Sequence, residues 1–354
     1  MTIDSTPIRG RGASANPANR FERISYEPDP DDNEDPRSAP ATILLRDQSR
    51  SIIAYNDSPD VGFNASVNPY RGCEHGCIYC YARPTHEWLG FSAGLDFESR
   101  LLVKEQAPEL LRQELSSPKW TPQTLTLSGV TDAYQPVERR LQLTRRCLEV
   151  LVEFRNPVAI VTKSQLVLRD TDLLSELTRY QAAAVFLSVT SLDGDLARVL
   201  EPRAPQPHAR LAAIEGLARA GITVGVMVAP VIPGLTDHEL PAILSAAAQA
   251  GACCAGHIVL RLPFGVSSLF VKWLEEHFPD RKEKVLSRVR ALRGGKLNDP
   301  NFGSRMKGQG ILADAIHALF DAGCRKAGIS RHDRLHLSTA AFRRQQSQPS
   351  LFAE

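Results

Sequence analysis

Three cysteines stand close together in the segment NPYRGCEHGCIYCYARP, as Cys73, Cys77 and Cys80. Thiolates are favoured ligands of iron–sulfur clusters, and Gly72 and Gly76 permit the tight turns that bring three sulfurs together. A closed four-iron cluster and a structural zinc site each require four ligands. Because only three cysteines are present locally, the spacing favours a cluster with one open iron, which is the arrangement of a catalytic site.

Two other interpretations of the cysteine motif stay open. One is a zinc knuckle completed by a distant cysteine or by His75, although His75 is too close to its neighbours to complete a tetrahedron easily. The other is a non-catalytic iron–sulfur protein that senses or transfers electrons. A disulfide is disfavoured, because we expect a chain without a secretory signal or a run of about 18 apolar residues to lie in the reducing cytoplasm.

The composition is that of a globular protein with polar extensions. The chain has 354 residues, of which 43% are hydrophobic and 23% charged, and its net charge of +2 neither requires nor excludes a nucleic-acid partner. Residues 1–40 are polar and contain DPDDNEDP, which predicts a flexible N-terminal extension. We further predict a core domain over 41–263, a basic helical C-terminal subdomain over 264–335 and a tail over 336–354.

Short apolar runs alternate with amphipathic stretches from about residue 65. This alternation predicts βαβ units and a mainly parallel sheet covered by helices. We therefore predict an α/β fold built as a partial (β/α)6 barrel, with an open Rossmann-type sheet as the alternative. The predicted strands lie near Val67 and at Thr124–Val130, Val158–Lys163, Ala184–Thr190, Ile222–Val231 and His257–Pro263. The predicted helices are Arg139–Phe154, Asp170–Tyr180, His208–Ala220 and Glu239–Ala250.

The chain resembles the radical SAM superfamily, and within it the branch named for spore photoproduct lyase. The likeness is carried by Cys-x3-Cys-x-aromatic-Cys, with Tyr79 as the aromatic residue, and by the segments SGVTDAYQPVE, VTKS, LSVTSLD, LEPRAP and APVIPGLTD. It implies one [4Fe–4S] cluster on the three cysteines and S-adenosylmethionine at the open iron. It also implies reductive cleavage of S-adenosylmethionine to a 5′-deoxyadenosyl radical, driven by an external one-electron reductant of flavodoxin or ferredoxin type.

Polar residues at the predicted strand ends are candidates for binding S-adenosylmethionine, because ligands of parallel α/β folds lie at the carboxyl ends of strands. The resemblance implies that Lys163 binds the methionine carboxylate. It also implies that Thr131 or Asp132 replaces the Gly-Gly-Glu that relatives use for the methionine amino group. An ordinary strand end for Lys163 and an Asx-type turn for Asp132 are the structural alternatives.

Further cofactor contacts are implied at Tyr79, which is expected to pack against the adenine, and at Ser188 and Thr190, which are candidates for the ribose hydroxyls. One departure from the resemblance concerns the reaction. The spore photoproduct lyases carry a cysteine near the end of the second strand that returns hydrogen to the product radical, and SGVTDAY contains none. The substrate and net reaction are therefore left open, and we expect a monomer without membrane contact.

Nucleic acid is one candidate substrate, because residues 264–334 contain 14 Lys and Arg against 8 Asp and Glu. Arg281, Lys284 and Arg288 share one face of a predicted helix, and such a row of cations can follow phosphates. The alternative is a solvated face that keeps the protein soluble.

Overall fold

The computed structural model describes residues 8–22, 40–331 and 336–344. The strands are β1 Ile43–Arg46, β2 Ile53–Tyr55, β3 Ala65–Val67, β4 Tyr70–Arg71, β5 Arg100–Val103, β6 Leu125–Leu127, β7 Val158–Thr162, β8 Ala183–Ser188, β9 Thr223–Val231, β10 Cys254–Val259 and β11 Ser330–Arg331. The α-helices are α1 Leu95–Ser99, α2 Ala107–Ser116, α3 Glu138–Leu141, α4 Leu143–Phe154, α5 Thr171–Thr178, α6 Gly194–Leu200, α7 Pro207–Arg219, α8 Leu240–Gln249, α9 Gly265–His277, α10 Pro279–Leu292, α11 Ser304–Lys307 and α12 Ile311–Ala327. Short 3₁₀-helices cover Arg83–Leu89, Gln165–Asp170 and Asp237–Glu239.

An eight-stranded sheet forms the centre of the fold, in the order β11-β10-β9-β8-β7-β6-β3-β2. The six strands from β3 to β10 in this order run parallel, β11 joins β10 in parallel, and β2 pairs antiparallel with β3. The two end strands are not paired with each other, so the sheet does not close into a barrel. The predicted α/β fold, with six parallel strands and a helical C-terminal part, is confirmed.

Side chains on both faces of strand β8 are buried, each face in a different cluster. Val185 and Leu187 are fully buried in the core that the sheet forms with its covering helices. The alternate residue Phe186 packs instead in a small cluster with Cys254, because successive side chains of a strand point to opposite faces. Gly225 is needed there, since a Cβ on it would lie 2.8 Å from both Cys254 Sγ and Phe186 Cδ1. Gly225 therefore leaves room for these two side chains on their face of the sheet.

The helix predicted over Arg139–Phe154 is interrupted in the structure. It consists of α3 and α4, separated by Gln142 at φ 52°. The buried carboxylate of Glu138 accepts a hydrogen bond from the Thr144 amide at 3.1 Å, at the start of α4. A carboxylate at a helix N-terminus satisfies amides that have no partner within the helix, so Glu138 stabilises a new helix start.

The predicted strands and the observed strands differ mainly at their ends. The strand predicted over Thr124–Val130 is Leu125–Leu127, because the chain turns at Ser128 with φ 73°. The strand predicted over His257–Pro263 is Cys254–Val259, three residues earlier at its start. After these strands the chain enters loops that carry polar side chains. Strand propensity does not predict where a strand gives way to such a loop.

Residues 8–22 of the predicted flexible extension are packed against the protein. The amides of Gly12 and Ala13 donate to the carboxylate of Glu98 at 2.9 Å each. Arg11 is 7% exposed and donates to the Glu98 carbonyl at 2.7 Å. Composition did not anticipate this order, since it comes from hydrogen bonds to a buried carboxylate rather than from apolar burial. The rest of the extension up to residue 39 lies outside the described residues.

The first part of the predicted C-terminal tail covers the amino ends of two strands. The amide of Arg343 donates to the Phe154 carbonyl at 2.9 Å, and the amide of Ser338 donates to the Gln181 carbonyl at 2.9 Å. The ring of Phe342 stacks on Phe154 with 6.3 Å between centroids. Phe154 and Gln181 shortly precede β7 and β8, so this segment closes the end of the sheet opposite the strand carboxyl ends. In the described ranges no helix has the length and apolar character needed to cross a membrane.

Candidate active site

The three cysteines lie in the loop that follows β4, and all are free thiols. Cys73 and Cys77 are 7% and 9% exposed, while Cys80 is partly exposed. The two glycines of the loop have left-handed conformations, with φ 83° at Gly72 and φ 69° at Gly76. The predicted tight turns are therefore present. They require glycine at these two positions, because a residue with a side chain adopts this conformation only with strain.

The electrostatics of the three thiols fit the binding of a cationic group. Burial raises the pKa of the Cys73 thiol, and the nearby Asp132 carboxylate and the other two thiols raise it further. Burial, with the Glu201 carboxylate adding to it, raises the pKa of Cys77 to about 12. Iron would favour the thiolate forms by supplying positive charge to this buried loop. The donor set thus suits an iron–sulfur cluster.

A single metal ion and a four-iron cluster place different geometric demands on the three thiols. Within residues 8–22, 40–331 and 336–344, no group of three or more His, Cys, Asp or Glu side chains is placed to hold a metal ion. A four-iron cluster offers each thiolate a separate iron, so its ligands need not meet at one point.

A buried arginine holds the cysteine loop in place. Arg83 is fully buried; its Nε donates to the Cys77 carbonyl at 3.0 Å and its Nη2 to the Gly76 carbonyl at 3.2 Å. The same guanidinium donates to the Gly94 carbonyl at 2.9 Å and pairs with the buried carboxylate of Glu98. No role for Arg83 was predicted from the sequence. The available signal was a basic residue just after the cysteine motif.

Glu201 brings together three of the predicted cofactor residues. This carboxylate is 1% exposed and accepts hydrogen bonds from the Tyr79 hydroxyl and, at 2.8 Å, from Thr190 Oγ1. Lys163 Nζ lies 4.0 Å from Glu201 Oε1 and 5.8 Å from the centroid of the Tyr79 ring. The fully buried Arg210 pairs with the other carboxylate oxygen. Glu201 lies in the LEPRAP segment that carries part of the sequence resemblance, and no local pattern indicated Arg210 as its partner.

Ionisation of Glu201 is expected to make stability depend on pH. Burial opposes its ionisation, but Arg210 and Lys163 outweigh burial and lower the pKa of Glu201 to about 2. A carboxyl with a lowered folded-state pKa adds stability above its unfolded pKa, and this contribution is lost as pH falls. Relative to Glu201→Gln, the wild type should lose about 3 kcal/mol of its free energy of unfolding as pH falls from about 4.5 to about 2.

Urea unfolding of both proteins across this pH range measures the effect. Asp195→Asn is the control, because it breaks an ion pair with Arg198 in which Asp195 is 88% exposed. Its cost should stay under about 1 kcal/mol. The prediction would be contradicted if the difference in the free energy of unfolding between wild type and Glu201→Gln stayed constant from pH 5 to pH 2.

Asp132 links the loop after β6 to the end of β7. One carboxylate oxygen accepts from Thr162 Oγ1 at 2.7 Å and from the Tyr134 amide at 2.9 Å. The other accepts from the Lys163 amide at 2.8 Å and lies 3.3 Å from His75 Nδ1. Burial opposes ionisation, yet His75 and these hydrogen bonds lower the pKa of Asp132 to about 2. Asp132 is therefore an ionised carboxylate whose contacts position Lys163.

Thr131 and Ser188 have backbone contacts at the same sheet edge. Thr131 is buried, and its hydroxyl donates to the Tyr70 carbonyl at 2.9 Å. Ser188 is buried at the end of β8, where its carbonyl accepts from Arg210 Nη1 at 3.0 Å. The fold thus brings the predicted cofactor residues to the carboxyl ends of neighbouring strands, and their roles toward S-adenosylmethionine stay predictions.

The row of basic residues on α10 lines a separate cavity of about 460 Å³. The cavity is lined by Arg281, Lys284 and Arg288 and by apolar residues of α12. The three cations therefore lie on one face of α10, as the sequence predicted. Arg288 pairs with Asp237 at 3.2 Å, in the turn after β9. The residues that line this cavity do not include the cysteine loop.

The structure combines the parallel α/β sheet that the sequence periodicity predicted with the three-cysteine loop that carries the family resemblance. Residues 67–247 match the family described as the Radical SAM superfamily. The match spans more than half of the chain, and the protein belongs to this superfamily.

Comparisons with individual proteins agree with this family. The chain is 38% identical over 243 residues to an uncharacterized protein of Mycobacterium tuberculosis, covering 68% of this chain and 70% of that protein. It is 29% identical over 174 residues to the radical SAM Nα-GlyT isomerase of Pseudomonas phage M6, covering 49% and 34%. A spore photoproduct lyase mutant with bound AdoMet and dinucleoside spore photoproduct has the same fold, with a TM-score of 0.56, 15% identity and coverage of 80% and 78%.

Proposed function

We propose that the protein is a radical SAM enzyme that holds one [4Fe–4S] cluster on Cys73, Cys77 and Cys80 and binds S-adenosylmethionine at the open iron. The observation that carries the proposal is the set of three free, largely buried thiols on one loop beside the carboxyl ends of the parallel strands. When bound, the cluster and S-adenosylmethionine together supply a 5′-deoxyadenosyl radical after one-electron reduction.

The protein's own residues bind and orient the cofactor in this proposal. Lys163 pairs with the methionine carboxylate, and the Asp132 carboxylate holds the Lys163 amide in place. Glu201 fixes the Tyr79 hydroxyl, so the Tyr79 ring stays beside the cysteine loop and can pack against adenine. Thr190 and Ser188, at the end of β8, are placed for the ribose hydroxyls. Tyr79, Ser188, Thr190 and Glu201 are buried, and their burial limits the access of water to a site where a radical must be protected.

Formation of 5′-deoxyadenosine tests the proposal. Anaerobically reconstituted protein is reduced with dithionite in the presence of S-adenosylmethionine, and the products are separated by chromatography. We expect 5′-deoxyadenosine from the wild type and none from a chain without iron. A reconstituted protein that takes up iron but never cleaves S-adenosylmethionine would favour the alternative of a non-catalytic electron-transfer or sensor protein. In the cell the electron would come from a one-electron donor of flavodoxin or ferredoxin type.

Replacement of Lys163 by Ala should weaken the binding of S-adenosylmethionine and leave the cluster intact. A charge-assisted hydrogen bond of this kind is worth about 1.5–3 kcal/mol, which corresponds to about 10- to 150-fold in affinity. The dissociation constant is measured from the change that S-adenosylmethionine causes in the electron paramagnetic resonance spectrum of the reduced cluster.

The matched control for this experiment is Lys326→Ala, which removes an exposed lysine near the end of α12. Its dissociation constant should equal that of the wild type. An unchanged dissociation constant in Lys163→Ala would show that Lys163 only balances the charge of Glu201.

Nucleic acid is the substrate class that we propose to test first. The support is the basic row on α10 and the fold shared with spore photoproduct lyase, which has been observed with a dinucleoside spore photoproduct. The SGVTDAY segment has no cysteine to return hydrogen, so we do not propose the lyase reaction itself.

A further inference from the structure

Arg261 is a half-buried cation beside the carboxyl ends of the parallel strands, a region called here the mouth of the sheet. It lies two residues beyond the end of β10, on the side where the parallel strands present their carboxyl ends. Its Nη1 donates to Met306 Sδ at 3.4 Å, and its Nε is buried with no hydrogen-bond partner. Across the described residues it has no salt bridge within 4.0 Å. A desolvated guanidinium with these contacts has unused capacity to bind an anion.

Tyr81, which belongs to the cysteine loop, contacts Arg261. Its hydroxyl donates to the Gly129 carbonyl at 2.9 Å, just after β6, and its ring lies 5.5 Å from Arg261 Cζ, just after β10. Three strands separate β6 from β10 in the sheet, so the Tyr81 side chain spans the open side of the mouth. The side chain is 49% exposed, which leaves ring surface for a ligand. Tyr81 directly follows the cluster ligand Cys80 in sequence.

The position of Arg261 is fixed by a second arginine. Arg293 donates to the Leu260 carbonyl at 2.7 Å and to the Arg305 carbonyl at 2.8 Å. Leu260 precedes Arg261 and Arg305 precedes Met306, so Arg293 fixes the backbone next to both members of the Arg261–Met306 contact. Burial lowers the pKa of Arg261 and the nearby Arg305 lowers it further, while Tyr81 and Asp60 partly offset both effects. Asp60 pairs with Arg305 rather than with Arg261. The cation is thus preorganised rather than free to move to another partner.

We propose that Arg261 and Tyr81 form the substrate-recognition site for a nucleotide unit, with Arg261 pairing with its phosphate and the Tyr81 ring stacking on its base. A guanidinium fork suits phosphate, and an aromatic ring beside an arginine is a recurrent platform for bases. An aliphatic carboxylate would satisfy Arg261 alone and would not use the exposed ring. This inference rests on the proposed function, because it names the substrate class of the same site.

Equilibrium binding to the anaerobic, cluster-loaded protein tests the inference. The probes are a labelled single-stranded DNA of eight nucleotides, the RNA of the same sequence, and thymidine 5′-monophosphate. Arg261→Gln should weaken binding about tenfold and lower the salt slope of oligonucleotide binding by about 0.7, the value for one phosphate contact on a single strand. Tyr81→Leu should weaken binding about five- to 150-fold while the salt slope stays unchanged.

The matched control is Arg325→Gln, which removes an exposed arginine near the end of α12, close to β11 and the opposite end of the sheet. Its affinities should equal those of the wild type. Iron content and thermal unfolding show whether each variant is folded, and the two variants at the mouth provide independent tests. Loss of oligonucleotide binding alone would identify a polymer substrate, whereas equal loss for the mononucleotide would identify a free nucleotide.

Three results would overturn the inference. One is a wild type that binds none of the three phosphate probes. The second is wild-type affinity and salt slope in a folded Arg261→Gln protein. The third is a loss of S-adenosylmethionine affinity in Arg261→Gln with unchanged nucleotide binding, which would assign Arg261 to the cofactor. Formation of 5′-deoxyadenosine by the wild type with dithionite tests the proposed function separately, so the two failures are distinguishable.

Discussion

Replacement of Cys77 by Ala is expected to abolish iron binding. The wild type should hold about four irons and four sulfides per chain after reconstitution, if the cluster is a cubane. Cys77 contributes a buried thiol between the other two ligands, and no other cysteine lies nearby in the loop to replace it. With two thiolates left, we expect less than about one iron per chain. Iron and sulfide analysis, together with the visible absorbance of the cluster, measures the loss.

Cys253→Ala is the control for this experiment, because it removes an exposed cysteine that belongs to a different part of the sheet. It should retain the full iron content. Stoichiometric iron in Cys77→Ala would contradict the assignment of this ligand. A wild-type chain that binds zinc and takes up no iron would instead support the zinc interpretation.

Replacement of Arg83 by Ala should have the largest effect on folding stability. Arg83 and Glu98 are both fully buried and pair with each other, and Arg83 also donates to carbonyls of the cysteine loop. Removal of one member of a buried pair leaves the other charge without its ionic partner, at a cost of about 3–5 kcal/mol. Urea unfolding of the protein without iron measures this change, so that metal loss does not contribute to it.

The matched control is Arg112→Ala, which breaks an ion pair with Glu153 in which Arg112 is 45% exposed. This change should cost under about 1 kcal/mol. Arg83→Ala should also load less iron than Arg112→Ala at equal protein concentration, because the carbonyls of the cysteine loop lose their donor. If the two variants unfold at the same urea concentration, the buried pair does not hold the loop.

The sequence alone indicated the chemistry of this protein, because that chemistry depends on residues close together in the chain. Three cysteines within eight positions predict a cluster with an open iron whatever the surrounding fold, since the loop itself brings them together. The strand centres were also predicted, for instance Val158–Thr162 within Val158–Lys163, because burial on both faces requires a continuous apolar run. The strand ends were less accurate, since polar residues there serve the site.

The tertiary structure decided which residues surround the cysteine loop. Tyr79 and Glu201 are hydrogen-bonded although 122 positions separate them, and no local pattern predicts such a pair. The same holds for Tyr81 and Arg261, which meet only because the open sheet brings the ends of β6 and β10 to one mouth. Burial also determines which of these polar residues need a partner, because a charge removed from water must be paired within the fold or with a ligand. Local sequence thus determined the cluster motif, and long-range packing determined the residues placed around it.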